Sequence, residues 1–441
     1  MKPNKFSMAE HLPRQWQLKR LKFIAMVQTG MAKGKDHGEA ETVDVPYLRV
    51  ANVQDGYLAL DDVATMTVPV ADLERYRLQP GDVLMNEGGD FDKLGRGHVW
   101  HGQIEPCIHQ NHVFAVRPHG VSPEWLNAWT GSAPAQFYFM GRAKQSTNLA
   151  SISSSNVMEL PVPVPPPAEQ VARLALIDRA STRIDALIAK KTRFIALLRE
   201  KRQALITQAV TQGLDPTVPM KDSGVAWLGR VPAHWAVTRI KYVISSMSQG
   251  WSPECEARPA EGNEWGVMKV GCVNGGTFDR SQNKALPASL QARADLALKK
   301  GDVLVSRANT RELVGGCAVI EQDEPTLMLC DKLYRLVVGA DVVPAFLAAV
   351  IVVHGRRQVE IEATGASSSM VNISQEVIRD LPVAMPPMGE QSLIMDRVAL
   401  RSGQLDSLMK RVVASVALLK ERRAALITAA VTGQIDVREP T

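Results

Sequence analysis

The sequence predicts an α+β protein written twice over. Two globular bodies of mixed α/β character, related by an approximate twofold axis, are joined by two long antiparallel helices that form a coiled coil. Three observations carry this reading. Residues 161–215 recur at 382–436 with 22 of 55 positions identical and no gap. Both copies keep apolar residues at alternating steps of four and three, the spacing of a coiled-coil seam. The segments between them read as short alternating strands broken by Gly, Asn and Asp turns.

In chain order the organisation is a globular part at 1–160, a helical spacer at 161–215, a second globular part at 216–381 and a second spacer at 382–441. Each spacer opens on prolines, LPVPVPPPAEQ at 160–170 and LPVAMPPMGEQ at 381–391. Proline is tolerated before a helix and in its first turn, where its missing N–H leaves nothing unpaired. Glu169 and Glu390 follow in the first turn, where a carboxylate meets the positive end of the helix dipole. Gly213 and Gly433 stand at the far ends as C-terminal stops. Each spacer is thus a helix of about 45 residues, roughly 65–70 Å long at 1.5 Å per residue. In the first, the seam runs through Ile177, Ser181, Ile184, Ile188, Lys191, Ile195, Leu198, Arg202, Leu205 and Ala209. In the second it runs through Val398, Ser402, Leu405, Met409, Val412, Val416, Leu419, Arg423, Leu426 and Ala430. Ser and Arg interrupt both stripes at equivalent places, and matched polar seam residues can pin register.

The globular parts repeat more faintly. LPRQWQLKRLKF at 12–23 matches VPAHWAVTRIKY at 231–242, and YLRVANVQDG at 47–56 matches VMKVGCVNGG at 267–276. GDVLMNEGG at 81–89 matches GDVLVSRAN at 301–309, and SISSSNVMELPV at 151–162 matches NISQEVIRDLPV at 372–383. Strands are expected at VPYLRVANV and DVLVSRA, and helical patches at 122–139 and 343–355.

Composition bounds the remaining choices. The net charge is +5, and the globular parts are near neutral, so the excess lies on the spacers. Residues 1–35 hold eight Lys/Arg and one Glu, including Lys33 and Lys35, a face suited to phosphates or simply to solvent. The longest nearly apolar run, VVPAFLAAVIVV, is too short to span a bilayer, and the first residues lack a signal-peptide core. Five cysteines without CxxC spacing suit reduced thiols in a cytoplasmic protein. GMAKGK at 30–35 has one residue too few between its glycines for a phosphate loop, and Asp36 stands where Ser/Thr is needed. Gly88, Gly89, Gly95 and Gly97 lack dinucleotide-site spacing. No Glu-x-Lys and no Asn/Asp-Pro-Pro-aromatic run occurs. His98, His101, His109 and His112, with Cys107 nearby, have zinc-like spacing. Their counterparts are Ala318, Glu321, Leu329 and Lys332, so a metal serving both copies is not expected.

The duplicated Pro-Pro-x-x-Glu-Gln openings, the ALITxAVT helix endings, the Pro-x-x-Trp-x-x-x-Arg-Ile/Leu-Lys starts and the duplicated GDVL segments together resemble the specificity subunits of type I restriction–modification systems. The likeness covers essentially the whole chain. It implies a noncatalytic subunit with two target-recognition domains, each reading one half of an asymmetric, bipartite double-stranded DNA target, with the helices setting the gap. It also implies two methyltransferase subunits and two restriction/translocase subunits as partners, no membrane, and S-adenosylmethionine, ATP and Mg bound by those partners rather than by this chain. Base reading wants Arg, Lys, Asn and Gln on loops that reach a groove. The expected contacts in the first domain are Asn86, Lys93 and Arg96 after GDVL, and Arg142, Lys144, Gln145 and Asn148 in GRAKQSTNLAS. In the second they are Arg307, Asn309 and Arg311, with Ser367, Ser368 and Ser369 in the matching polar loop. A scaffold that joins two partners without reading bases, and a hydrolase with a site between the halves, are the competing classes.

Overall fold

The structure, a computed structural model, describes residues 12–34, 38, 40–91, 94–145, 150–362, 364–367 and 370–435. The chain divides into two compact units, Met1–Thr192 with Val413–Thr441, and Arg193–Val412. Each unit therefore owns one globular part, the first half of one long helix and the last half of the other.

In the first unit a four-stranded antiparallel sheet runs in the order Ala25–Thr29, Val113–Pro118, Val83–Asn86, Gly97–Val99. The second unit repeats it as Ile244–Gln249, Leu333–Val338, Val303–Ser306, Cys317–Val319. The inner strands are rich in β-branched and aromatic residues, which suit a pleated surface covered on both sides. Both begin their GDVL strand with a turn in which Asp accepts from the backbone three residues back. Gln79 N donates to Asp82 Oδ2 at 2.8 Å, and Lys299 N to Asp302 Oδ2 at 2.9 Å. Arg117 adds a two-pronged grip on the fully buried Asp82, at 2.7 and 2.8 Å.

A second small sheet is also repeated: Lys144–Gln145, Ala150–Ser151 and Gly88–Gly89 in one unit, Thr364–Ser367, Met370–Asn372 and Ala308–Asn309 in the other. The third sheet diverges. In the first unit Thr42–Leu48 lies between Ile108–His109 and Ala64–Pro69; in the second, Gly266–Met268 and Glu324–Met328 form the centre of four strands.

The long helices span Pro167–Gln212 (46 residues) and Met388–Val431 (44 residues), close to the expected length. They stop where Gly213 and Gly433 take φ of +76° and +80°, as expected of C-terminal caps. All twenty seam positions are buried or half-buried, among them Ile184, Leu198 and Val412 buried, and Ile188, Ile195, Leu205, Leu405, Met409, Val416, Leu419 and Leu426 half-buried. Within the first unit the two helices run antiparallel: Arg173 donates to Ala430 O, while Asp185 pairs Arg423 at 2.7 Å. Within the second, Arg202 Nε lies 3.3 Å from Asp406, and Ala209 and Val210 share a core with Ile394 and Val398. Arg202 and Arg423 are polar interruptions of the stripe, and each finds the equivalent Asp of the facing helix, Asp406 and Asp185. The other interruption, Ser181 and Ser402, leaves its hydroxyl without a partner in both helices.

The expected helical patch at 122–139 is two helices, Pro123–Thr130 and Ala133–Met140, because Gly131 and Ser132 break the ladder. The first lays Trp125 and Trp129 into the core, and their indole N–H groups donate to Pro163 O and Pro161 O. That joins the helix to the strand Pro161–Val164, which runs straight into the long helix.

Two motif residues make the same joint in both units. Trp16 Nε1 donates to Glu169 at 3.0 Å, and Trp235 Nε1 to Glu390 at 3.1 Å. Gln170 donates to Pro165 O at 2.9 Å and accepts from Ser122 N at 3.3 Å. Gln391 donates to Pro386 O and Asp341 O at 2.9 and 3.1 Å and accepts from Val343 N at 2.8 Å. The Pro-x-x-Trp and Pro-Pro-x-x-Glu-Gln motifs are thus two sides of one contact, fastening each globular part to the root of its helix.

Candidate nucleic-acid interface

The segments expected to face DNA meet in one place in each unit. The residue after GDVL continues into the short strand Gly88–Gly89, which pairs with Ala150–Ser151, which pairs with Lys144–Gln145. The second unit does the same with Ala308–Asn309, Met370–Asn372 and Thr364–Ser367. Ile152 N donates to Glu87 O, and Ile373 N to Arg307 O, both at 2.9 Å, so the two sites match at this position, while the outer strand of the second carries a register shift.

A third repeated motif closes each site from the side. In the first unit, VANVQDG forms a hairpin, Val53–Gln54 with Tyr57–Leu58, turned at Asp55-Gly56 as such dipeptides favour. Asn86 Nδ2 donates to Val53 O at 2.8 Å, and Arg96 pairs with Asp55 at 3.1 Å. In the second unit Asn309, only 8% exposed, donates to Asn274 at 3.1 Å and accepts from Thr310 N at 2.9 Å. Asn86, Arg96 and Asn309, candidates for contact with DNA, also bond neighbouring groups of the loops that carry them. Asn86 and Asn309 satisfy backbone groups, Val53 O and Thr310 N, while Arg96 bonds the Asp55 carboxylate.

Arg307 is half-buried, donates to Asp331 O at 3.2 Å and lies 5.8 Å from the Tyr334 ring, leaving its Nε unpartnered. Arg142 is exposed, with its guanidinium 3.8 Å from the Tyr138 ring. Lys144, Gln145, Arg311 and Lys33 are exposed as well. Ser367 ends the strand Thr364–Ser367. Lys35, Lys93, Asn148, Ser368 and Ser369 lie outside the described residues.

Glu87 was not foreseen. It occupies the backbone position that Arg307 fills in the second unit, and His112 Nδ1 approaches its carboxylate at 2.8 Å. The signal was present in the alignment of GDVLMNEGG with GDVLVSRAN. One scaffold thus carries an acceptor in one unit and a cation in the other.

The histidines do not converge. His109 is fully buried with Nδ1 at 2.7 Å from Val113 O, and burial lowers its pKa. His98 and His101 meet edge to face at 6.1 Å, and His98 is lowered first by burial and then by His101. Among the described residues no group of three His, Cys, Asp or Glu is placed to hold a metal. The five cysteines are free, and burial pushes the Cys107 thiol up to about 12 and Cys330 up to about 11. Among the described residues no helix is long and apolar enough to cross a membrane.

The chain is α+β with two matched units, each carrying a loop-built polar site and fastened to the root of a long helix. No family model matches the chain. It is 29% identical over 204 residues to the EcoEI specificity subunit of the type I restriction enzyme of Escherichia coli, covering 46% of this chain and 34% of that subunit. The chain thus spans about a third of that relative's length. It is 21% identical over 438 residues to the EcoKI specificity subunit of Escherichia coli strain K12, covering 98% of this chain and 91% of the other. A solved chain from work on complex assembly and conformational transition of a type I R-M system shares the fold, with a TM-score of 0.69, 15% identity, and 96% and 99% coverage. The chain therefore resembles type I specificity subunits both along its sequence and in its fold, as its duplicated motifs imply.

Proposed function

We propose that this chain is the noncatalytic DNA-specificity subunit of a cytoplasmic type I restriction–modification complex. Each unit reads one half of an asymmetric, bipartite target. The paired helices fix the gap of unread bases and carry two methyltransferase subunits, to which two restriction/translocase subunits are added. S-adenosylmethionine, ATP and Mg are bound by those partners.

One observation carries the reading: two sites that match at this backbone position bear opposite side-chain chemistry there, Glu87 against Arg307. A structural duplicate under no other demand has no reason to differ there. Two modules that read different bases do, since a carboxylate accepts from cytosine N4 while an arginine donates to guanine O6 and N7. On this reading the exposed Arg142, Lys144, Gln145, Arg311 and Lys33 reach the nucleic acid, together with Arg307. Asn86, Arg96 and Asn309 set the shape of the loops that carry them.

Mapping methylated bases in the host genome with and without this chain tests the proposal. The expected result is a bipartite motif that disappears on deletion. Loss of methylation without any motif, or salt-sensitive binding indifferent to sequence, would instead favour a scaffold. Removing one heptad from both helices tests the gap; an unchanged target refutes it.

A further inference from the structure

The stretch Pro-x-x-Trp-x-x-x-Arg-Leu/Ile-Lys is kept in both units, and nearly all of it has a structural reason. Trp16 and Trp235 close on Glu169 and Glu390, and Leu21 and Ile240 are fully buried. Arg20 and Lys22 both hold Glu159, at 2.8 and 2.5 Å. Arg239 and Lys241 both hold Asp380, at 3.3 and 2.8 Å. The next residue has no such reason. Phe23 is 66% exposed and Tyr242 is 73% exposed, each with its neighbouring lysine 5.3 Å from the ring centre. Leu18 and Val237, on the strands Gln17–Arg20 and Ala236–Arg239, are exposed at matching positions too.

A lone exposed apolar residue is ordinary, but the same aromatic patch twice in a chain whose other loops diverge is not. Whatever seats on one patch fits the other, so the occupant is two copies of one molecule. Its chemistry follows from charge. Both cations of each patch are already drawn to one carboxylate, which leaves little to attract phosphates, while the ring stays uncovered. That favours an apolar pocket on a protein over a DNA backbone. The patch also stands where the globular part is fastened to its helix: Gln17–Arg20 pairs with Pro161–Val164, and Ala236–Arg239 with Pro382–Met385, the strands that lead into the two long helices.

We propose that Phe23 and Tyr242 are twin anchors, each filling an apolar pocket of one methyltransferase subunit, so that one chain holds two copies through equivalent aromatic residues. This rests on the partner reading above. The test is native mass spectrometry and sedimentation velocity of the full chain mixed with purified methyltransferase subunit. The wild-type chain is expected to bind two copies. Phe23→Ala or Tyr242→Ala should weaken one site about tenfold or more, as expected for a central aromatic contact, leaving one copy bound. The double variant should bind none, while Phe23→Tyr with Tyr242→Phe restores both, and thermal unfolding of the variants alone stays unchanged. Two copies bound by the double variant at unchanged affinity overturn the inference. So does loss of DNA binding with subunit stoichiometry intact, which would make the patch a nucleic-acid contact. No binding by the wild-type chain sinks the partner reading itself, and the anchors with it.

Discussion

Replacing Gln391 by glutamate changes one amide nitrogen to oxygen in a residue that is 1% exposed. That nitrogen donates to two carbonyl oxygens, Pro386 O at 2.9 Å and Asp341 O at 3.1 Å. The substitution removes both donors and sets an anion against two acceptors. Each lost bond costs about 0.5–1.5 kcal/mol, and each acceptor left unpaired in the interior costs about 1–3 kcal/mol. A ceiling applies as well, because the introduced carboxyl can fold protonated. At pH 7, protonating a group of ordinary pKa near 4.3 costs about 3.7 kcal/mol. The expected loss is therefore about 3–4 kcal/mol at pH 7, and the ceiling falls by about 1.4 kcal/mol for each pH unit below that. The sign follows from a folded-state pKa raised above the unfolded one: stability relative to wild type is retained below about pH 4.3 and lost as pH rises through the raised value. Thermal unfolding from pH 5 to 8 reads this directly. In a unit of this size the transition of Arg193–Val412 should drop by about 10 °C at pH 7 and by less at pH 5. Gln391→Met, similar in size and without charge, should lose stability by an amount independent of pH. A Gln391→Glu variant whose deficit is flat across that range would refute the assigned bonds.

Three further outcomes follow from the same contacts. Trp16→Phe keeps an aromatic ring in the core but removes the donor to Glu169; the cost should be about 2 kcal/mol by urea unfolding, and a loss under 0.5 kcal/mol contradicts the joint. Burial raises the Glu169 carboxyl, but donors on Arg173, Trp16 and Gln15 outweigh it and hold its pKa below the usual range, so wild-type stability from this joint is present above about pH 4.5 and fades as pH falls, a fade the variant should share less. Gly250→Ala places a Cβ 2.0 Å from Leu329 O, and Gly30→Ala places one 2.1 Å from His109 O; either should cost about 3 kcal/mol or more, and a variant melting within a degree of wild type would show that the strands can part. Arg202→Ala removes an ion pair whose partners are 38% and 44% exposed, so it should cost no more than about 1 kcal/mol and less at high salt; a coupling with Asp406 above 2 kcal/mol in a double-mutant cycle would mean the seam is drier than described.

The long helices were legible because their signals are local. Prolines, a first-turn carboxylate, a stripe stepping by four and three, and a closing glycine all act within a few residues, so element, length and seam could be read directly. The internal repeat supplied the doubling. Strand order was not legible, since pairing Ala25–Thr29 with Val113–Pro118 depends on contacts nearly ninety residues apart. The site was half legible for a related reason. GRAKQSTNLAS shares a small sheet with the Gly88–Gly89 strand that follows GDVL, while GDVL itself runs in the four-stranded sheet. Asn86 and Arg96 also tie down the hairpin at Val53–Leu58, and Asn309 bonds Asn274, contacts that only the fold reveals. A polar residue in a loop serves either solvent-facing chemistry or the loop's own unpaired backbone, and composition does not distinguish the two. Glu87 went unnoticed because a single carboxylate carries no pattern; only its swap for Arg307 gives it meaning.

The joint at each helix root bears on how such proteins can be recombined. Along the chain Trp16 and Glu169 bracket every candidate recognition residue of the first unit, as Trp235 and Glu390 do in the second. A transplant cut between tryptophan and glutamate can exchange all that lies between and still arrive with a fitting plug for the recipient's socket. Under the proposed function, specificity then changes wholesale while the fastening stays as it was.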